Sequence, residues 1–179
     1  FEPRTWDDGS RQGGIAYLAT ALERLRQQEG DPIVAFGGEL AAGSLFGSVF
    51  RGGPFVDAFN DLGVDVGNFG NHDFDYGVDH TRDLIDQAEF PWISSNLTTR
   101  EGNPISEDGT TFQTKSGDLN VGFVSLTADL DRTVAAKDVV VGDFVEAARG
   151  GVDRLRAQDV DAIILLSQIS KEDTTRVMD

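Results

Sequence analysis

The sequence predicts an α/β fold built on a partly parallel sheet with helices on both of its faces. Three observations carry this. Short apolar runs alternate with stretches of helical periodicity along most of the chain. Two of those runs, Ile33-Val34-Ala35-Phe36 and Ala162-Ile163-Ile164-Leu165-Leu166, are continuous rather than alternating, as in strands buried on both faces. One segment, from Thr111 to Thr127, instead reads as a hairpin inserted into the alternation.

In order, residues 1–11 show no periodicity and read as a segment following an upstream strand. Ile15, Leu18, Leu22 and Leu25 recur at helical spacing, predicting an amphipathic helix from Gly14 to Gln28 that Gly30-Asp31-Pro32 ends. The run Ile33–Phe36 leads into Gly37-Gly38-Glu39 and a small-residue loop reaching Gly47. Pro54 starts a helix carrying Phe55, Phe59 and Leu62 inward. Val64-Asp65-Val66 is the next strand, and Val78 to Glu89 the next helix. Phe90 to Asn96 is a further strand, ending in an Asn96-Leu97-Thr98 sequon that occurs easily by chance. Thr111–Lys115 and Asn120–Thr127 flank a Ser116-Gly117-Asp118 turn. A helix from about Asp143 to Gln158 and the strand Ala162–Leu166 follow. Lys171 to Asp179 reads as the opening of a helix. No repeat, linker or low-complexity segment interrupts residues 1–179, which are expected to form one domain of ordinary size.

Composition narrows the function. Net charge is −16, from 31 acidic against 15 basic residues, which argues against a surface that tracks the phosphates of a nucleic-acid polymer. It also opposes any anionic substrate unless cations intervene. Only Lys115, Lys137 and Lys171 are lysines; such an acidic surface fits a protein of salt-rich cells or of an arginine-rich genome equally well. Cysteine is absent, so disulfides and thiolate metal sites are excluded. No apolar run is long enough to span a bilayer, and no signal segment stands at the start.

The chemistry-bearing stretch is Gly67 to Gly77. Asn71 to Asp75 place an amide, an imidazole and two carboxylates between a strand and a helix. Open α/β sheets keep their ligands at such strand ends. A turn in which Asn and Asp bond their own backbone is the simpler alternative. Two other strand ends supply matching groups, Glu39 and Gln168, about 130 residues apart in sequence. Carboxylate and amide oxygens suit Mg, Mn or Ca, and an imidazole extends the choice to Zn or Fe. Three satisfied polar caps would give the same pattern. Asp75, three residues after His72, can hold the imidazole in one tautomer and raise its pKa. His80, mid-helix beside Asp79 and Asp83, reads as a solvated surface residue. No nucleophile elbow, phosphate-cradling Walker loop or dinucleotide fingerprint is present.

Gly70-Asn71-His72-Asp73-Phe74-Asp75-Tyr76-Gly77 closely resembles the Gly-Asn-His-(Glu/Asp)-Phe-Asp-x-Gly signature of the 5'-nucleotidase and cyclic-nucleotide phosphodiesterase branch of the calcineurin-like metallophosphoesterases. Gly13-Gly14-Ile15-Ala16, Gly38-Glu39-Leu40 with Gly43-Ser44, Phe90 to Asn96 and Asp161 to Ser170 look like further family segments, in family order. The resemblance implies a β-sandwich flanked by helices, in αββα layers, and metal-dependent hydrolysis of nucleotides or related phosphate esters. It implies two divalent ions, with Zn, Mn, Mg and Ca not distinguished, bridged by a carboxylate. Asn71 would be a metal ligand, Glu39 would stand in the bridging position and Gln168 in a metal-histidine position. His72, oriented by Asp75, would stabilise the transition state or protonate the leaving oxygen. It also suggests a secreted, periplasmic or cell-surface setting.

The departures are specific. The family's Asp-x-His would fall upstream of Phe1 and its Gly-His-x-His beyond Asp179, so the terminal motif-bearing segments are not in this sequence. Glu39 replaces an Asp, moving the carboxylate by on the order of 1.5 Å, one carbon–carbon bond. Metal–ligand distances tolerate only about 0.2 Å. Gln168 replaces a His, exchanging an imidazole for a harder, weaker amide donor. The expectation is weakened or lost metal binding and impaired hydrolysis, in a fragment of a longer enzyme or in a decayed homologue kept as a binding or structural module. A phosphate- or nucleotide-binding domain using the loop Gly37 to Gly47 is a third reading.

Overall fold

The computed structural model describes every residue except 1, 31, 43, 107–110, 129, 131, 132, 134 and 135, and describes residues 113, 115 and 116 by their backbone alone. Asp31 of the expected helix stop and Gly43 of the small-residue loop therefore lie outside the described residues. The chain begins with a small antiparallel hairpin, β1 (Arg4–Thr5) and β2 (Arg11–Gln12), closed by Trp6 N–H to Ser10 C=O at 2.9 Å. Sequence periodicity does not reveal it, because two-residue strands are too short to alternate. Helix α1 (Ile15–Glu29) follows, one residue displaced from expectation. Its apolar stripe is only partly covered: Leu22 is buried, but Leu18 and Leu25 are exposed.

Strand β3 (Ala35–Phe36), helices α2 (Leu45–Phe50) and α3 (Gly53–Leu62), and strand β4 (Val66–Asn68) come next. A 3₁₀ turn (Asn71–Phe74), helix α4 (Val78–Gln87) and strand β5 (Trp92–Ile93) complete the first half. β3, β4 and β5 form a parallel sheet in that order. Asp65, expected inside the strand, lies just before it, and its carboxylate accepts the Val34 N–H at 2.7 Å. The second half contains β6 (Leu97–Thr99), β7 (Thr111–Ser116), β8 (Leu119–Thr127), β9 (Val139–Val141), α5 (Phe144–Arg156), β10 (Ala162–Gln168) and α6 (Lys171–Met178). β7 and β8 are the expected hairpin, and β10 pairs with β8 in parallel. β6 pairs with β9, a short strand not anticipated.

Period-two alternation explains how the layers stack. Val66 and Ile93 point toward Val121 and Phe123 of β8, making a core between the two three-stranded sheets. The alternate residues face the other way. Trp92 packs with Phe69, Phe74, Leu84 and Val56 under α3 and α4. On the far sheet Gly122 lies against Leu155, and Gly151 against Val124, so α5 sits close on β8. The result is the αββα layering. Asp143 caps α5, accepting the Glu146 N–H at 2.9 Å.

Two strand expectations are corrected. β3 is an edge strand whose Ala35 is exposed. β10 is also an edge; none of its apolar run is fully buried, with Ile163, Leu165 and Leu166 half-buried and Ile164 42% exposed. A continuous apolar run therefore does not require burial on both faces here. The third-strand expectation splits: the chain bends at Ser94–Asn96 and resumes as β6. Among the described residues no helix is long and apolar enough to cross a membrane.

Candidate functional site

The site lies at the carboxyl edge of the parallel strands. After β4 the chain turns through Gly70 into the 3₁₀ turn bearing Asn71 and His72. After β3 it runs through Gly38 to Glu39. The two loops touch so closely that a Cβ on Gly38 would lie 2.6 Å from the Gly70 nitrogen, and one on Gly70 would overlap Cγ of Glu39. Glycine is required at both positions. Glu39 itself takes φ +70°, a left-handed conformation that costs a non-glycine residue about 1–2 kcal/mol.

His72 and Asp75 form the pair that the spacing predicts. Nδ1 of His72 lies 2.8 Å from Oδ2 of Asp75, with the imidazole about half exposed at 47%. With Nδ1–H donated to the carboxylate, Nε2 is free to face a ligand. The hydrogen bond to Asp75 holds the imidazole pKa above its ordinary value; partial burial opposes this, and the negative charges of Asp75, Glu39 and Asp73 reinforce it. The protonated ring therefore persists to higher pH than a free histidine, and its stabilising contact with Asp75 is lost as pH rises through the raised pKa. Replacing Asp75 by Asn is expected to return the His72 midpoint toward that of an ordinary histidine. An NMR titration of the ring protons measures this, and an unchanged midpoint would remove Asp75 from the account.

Of the other expected residues, Glu39 and Asn71 lie on the two loops at this edge, whereas Gln168 ends a strand of the second sheet. Glu39 is exposed and contributes to the charge around His72. Asn71 is half-buried at the start of the turn. Gln168 is the last residue of β10, in register with Thr127, whose hydroxyl donates to the Phe69 carbonyl at 2.7 Å. That bond connects the end of the second sheet to the loop carrying Asn71. His80 is half-buried rather than solvated, and its Nε2 lies 2.7 Å from the Arg51 carbonyl.

The three expected ligands do not by themselves complete a two-metal donor set. Glu39, Asn71 and Gln168 offer one carboxylate and two neutral amides against four positive charges. Among the described residues no group of three or more His, Cys, Asp or Glu is placed to hold an ion. Hard, singly anionic oxygen sets of this kind bind divalent ions far more weakly than multi-carboxylate or imidazole sites.

Sequence reasoning missed two groups. Asp73 is completely buried. Its Oδ1 accepts the N–H groups of Leu40 at 2.7 Å and Ala41 at 2.9 Å, and its Oδ2 those of Glu39 at 3.0 Å and Gly70 at 2.8 Å. Burial holds this carboxyl above its usual pKa, against the four amide donors, which pull it down. Both oxygens face donors only, which selects the ionised form. The available signal was an acid three residues after a glycine that opens a turn, a capping position. The second group is a polar clasp between the sheets. Asn96 accepts the Thr127 N–H and donates to its carbonyl, both at 2.9 Å, and Asn68 donates to the Gly37 and Leu126 carbonyls. Asn96 is thus buried and bonded at both ends, so the sequon is inaccessible in the folded chain.

No protein-family model matches the chain. It is 26% identical over 180 residues to a 2',3'-cyclic-nucleotide 2'-phosphodiesterase/3'-nucleotidase of Yersinia enterocolitica, an alignment covering 89% of this chain and 28% of that protein. It is 29% identical over 160 residues to the 5'-nucleotidase of Bos taurus, covering 86% of this chain and 28% of that one. The chain thus spans little more than a quarter of the length of these relatives. Its fold matches the crystal structure of a 5'-nucleotidase precursor from Thermus thermophilus with a TM-score of 0.89 at 23% identity, covering 98% of this chain and 36% of that one. A calcineurin-like phosphoesterase, YfkN of Bacillus subtilis, superimposes with a TM-score of 0.76 over 93% of this chain and 58% of that one, at 22% identity.

Proposed function

We propose that this chain, related by sequence and fold to the 5'-nucleotidases and nucleotide phosphodiesterases of the calcineurin-like metallophosphoesterases, is a phosphoester hydrolase domain acting on nucleotides or related phosphate esters, and that its own residues support only slow turnover. Residues 1–179 act as one domain in this reading, in a setting outside the cytoplasm. The observation that carries it is the Asp75-oriented imidazole of His72, exposed at the edge where the parallel strands end.

The chemistry assigned to that pair is proton donation. As water attacks phosphorus and the bond to the leaving oxygen breaks, the proton on Nε2 of His72 passes to that oxygen, and the attacking water's proton goes to solvent. Asp75 keeps the ring in the tautomer that presents Nε2 and stabilises the imidazolium before transfer. Because the acid form is required, turnover falls as pH rises through the raised His72 pKa. The relatives' superfamily is one of metal-dependent phosphoesterases. Within this chain Glu39 and Gln168 stand where the family pattern has Asp and His, and the slow turnover proposed rests on those two weaker donors.

The test is phosphate release from a panel of nucleoside monophosphates and from a chromogenic phosphodiester, with Mn or Zn added. Slow, metal-stimulated release is expected. A second reading, a nucleotide-binding module without turnover, is favoured by the same depleted donor set. Calorimetric binding of a nucleotide with no release under any metal would establish it instead.

A further inference from the structure

We infer that Asp73 is a positioning residue that locks the Glu39 loop and the His72 turn into one unit. The carboxylate is a single buried anion shared by four backbone N–H groups from two strand ends, three of them on consecutive residues 39–41. Three successive N–H groups converge only if the backbone bends sharply, and the bend falls at Glu39 with φ +70°. The anion therefore supports a conformation that Glu39 does not favour by itself. From the other side, the Asp73 carbonyl accepts the Thr81 hydroxyl at 2.8 Å, which ties the same residue to α4. Asp73 touches neither a ligand-facing atom nor solvent. It acts through Glu39, Asn71 and His72, whose relative placement it fixes. Its bearing on catalysis rests on the phosphoesterase reading; its bearing on loop geometry does not.

Asp73→Asn keeps the shape and removes two acceptor sites. The amide oxygen still serves one pair of N–H groups, while the amide nitrogen points its own hydrogens at the other pair. Hydrogen exchange resolved by residue is the readout. In the variant, protection is expected to fall at least about tenfold at two or more of Glu39, Leu40, Ala41 and Gly70, a loss of about one hydrogen bond's net stability at each. Val124 in β8 keeps its protection. The ¹⁵N shifts of the His72 ring, which report Nδ1–H donation to Asp75, move toward a mixed-tautomer pattern. Unchanged protection at all four amides, or an unchanged ring pattern, would overturn the inference. Should the variant not fold, the wild-type chain decides. The four amides then share one opening rate; residues 39–41 exchanging far faster than Gly70 would overturn it. Loss of protection in Asp73→Asn, in a chain with no phosphate release, leaves the lock standing and sinks the hydrolase reading alone.

Discussion

Asp73→Ala is expected to cost several kcal/mol of folding stability, since unsatisfied buried donors cost roughly 1–3 kcal/mol each. The alanine leaves four backbone donors without their acceptor, three of them buried. That cost is offset in part because the variant no longer buries a charge. A typical domain has only about 5–15 kcal/mol in total. The variant should unfold at markedly lower urea, with an unchanged dependence on denaturant if the rest of the fold persists. A midpoint within error of the wild type would mean that water or relaxed loops replace the carboxylate without loss.

Restoring the substituted ligand positions should have the opposite sign. In the double variant Glu39→Asp, Gln168→His, affinity for zinc is expected to rise tenfold or more, roughly what changing even an outer partner of a metal ligand achieves. Two physical terms act together. Asp occupies left-handed backbone more readily than Glu, so the φ of +70° at residue 39 becomes less strained while the carboxylate withdraws by about one bond length. Histidine at residue 168 then replaces a neutral amide oxygen with an imidazole, a better partner for zinc. Equilibrium dialysis measures the change directly, without reliance on turnover. Equal zinc affinity in both proteins would show that residue 168 does not face the same ion as residue 39.

Much of this was legible in the sequence because local pattern and tertiary role coincide. The Gly-Asn-His motif reads as a strand-end turn and is one; the His72–Asp75 spacing predicts a hydrogen bond and forms one. The β7–β8 hairpin lies where the Ser116-Gly117-Asp118 turn places it. What the pattern could not reveal depends on partners distant in sequence. The exposure of Ile164 depends on what packs against that face of β10, which no property of Ala162–Leu166 encodes. Asp73 looks like any turn aspartate until residues 39–41 fold onto it from more than thirty positions away. Asn96 looks like part of a chance sequon until Thr127 closes on both ends of its amide. Buried polar side chains next to apolar runs, as at Asn68 and Asn96, are the recoverable signal, since burial obliges them to find partners.

The most direct test of the central claim is the rate of phosphate release with manganese by the wild-type chain and by His72→Ala. The ring is half exposed, so its removal should leave the fold intact. Loss of a positioned general acid is worth about 10²–10⁴-fold. A slow wild-type rate that falls by at least about a hundredfold in the variant is the predicted result. Equal rates in the two proteins would contradict the assignment of His72 as the proton donor, and with it the reading of this edge as the active site.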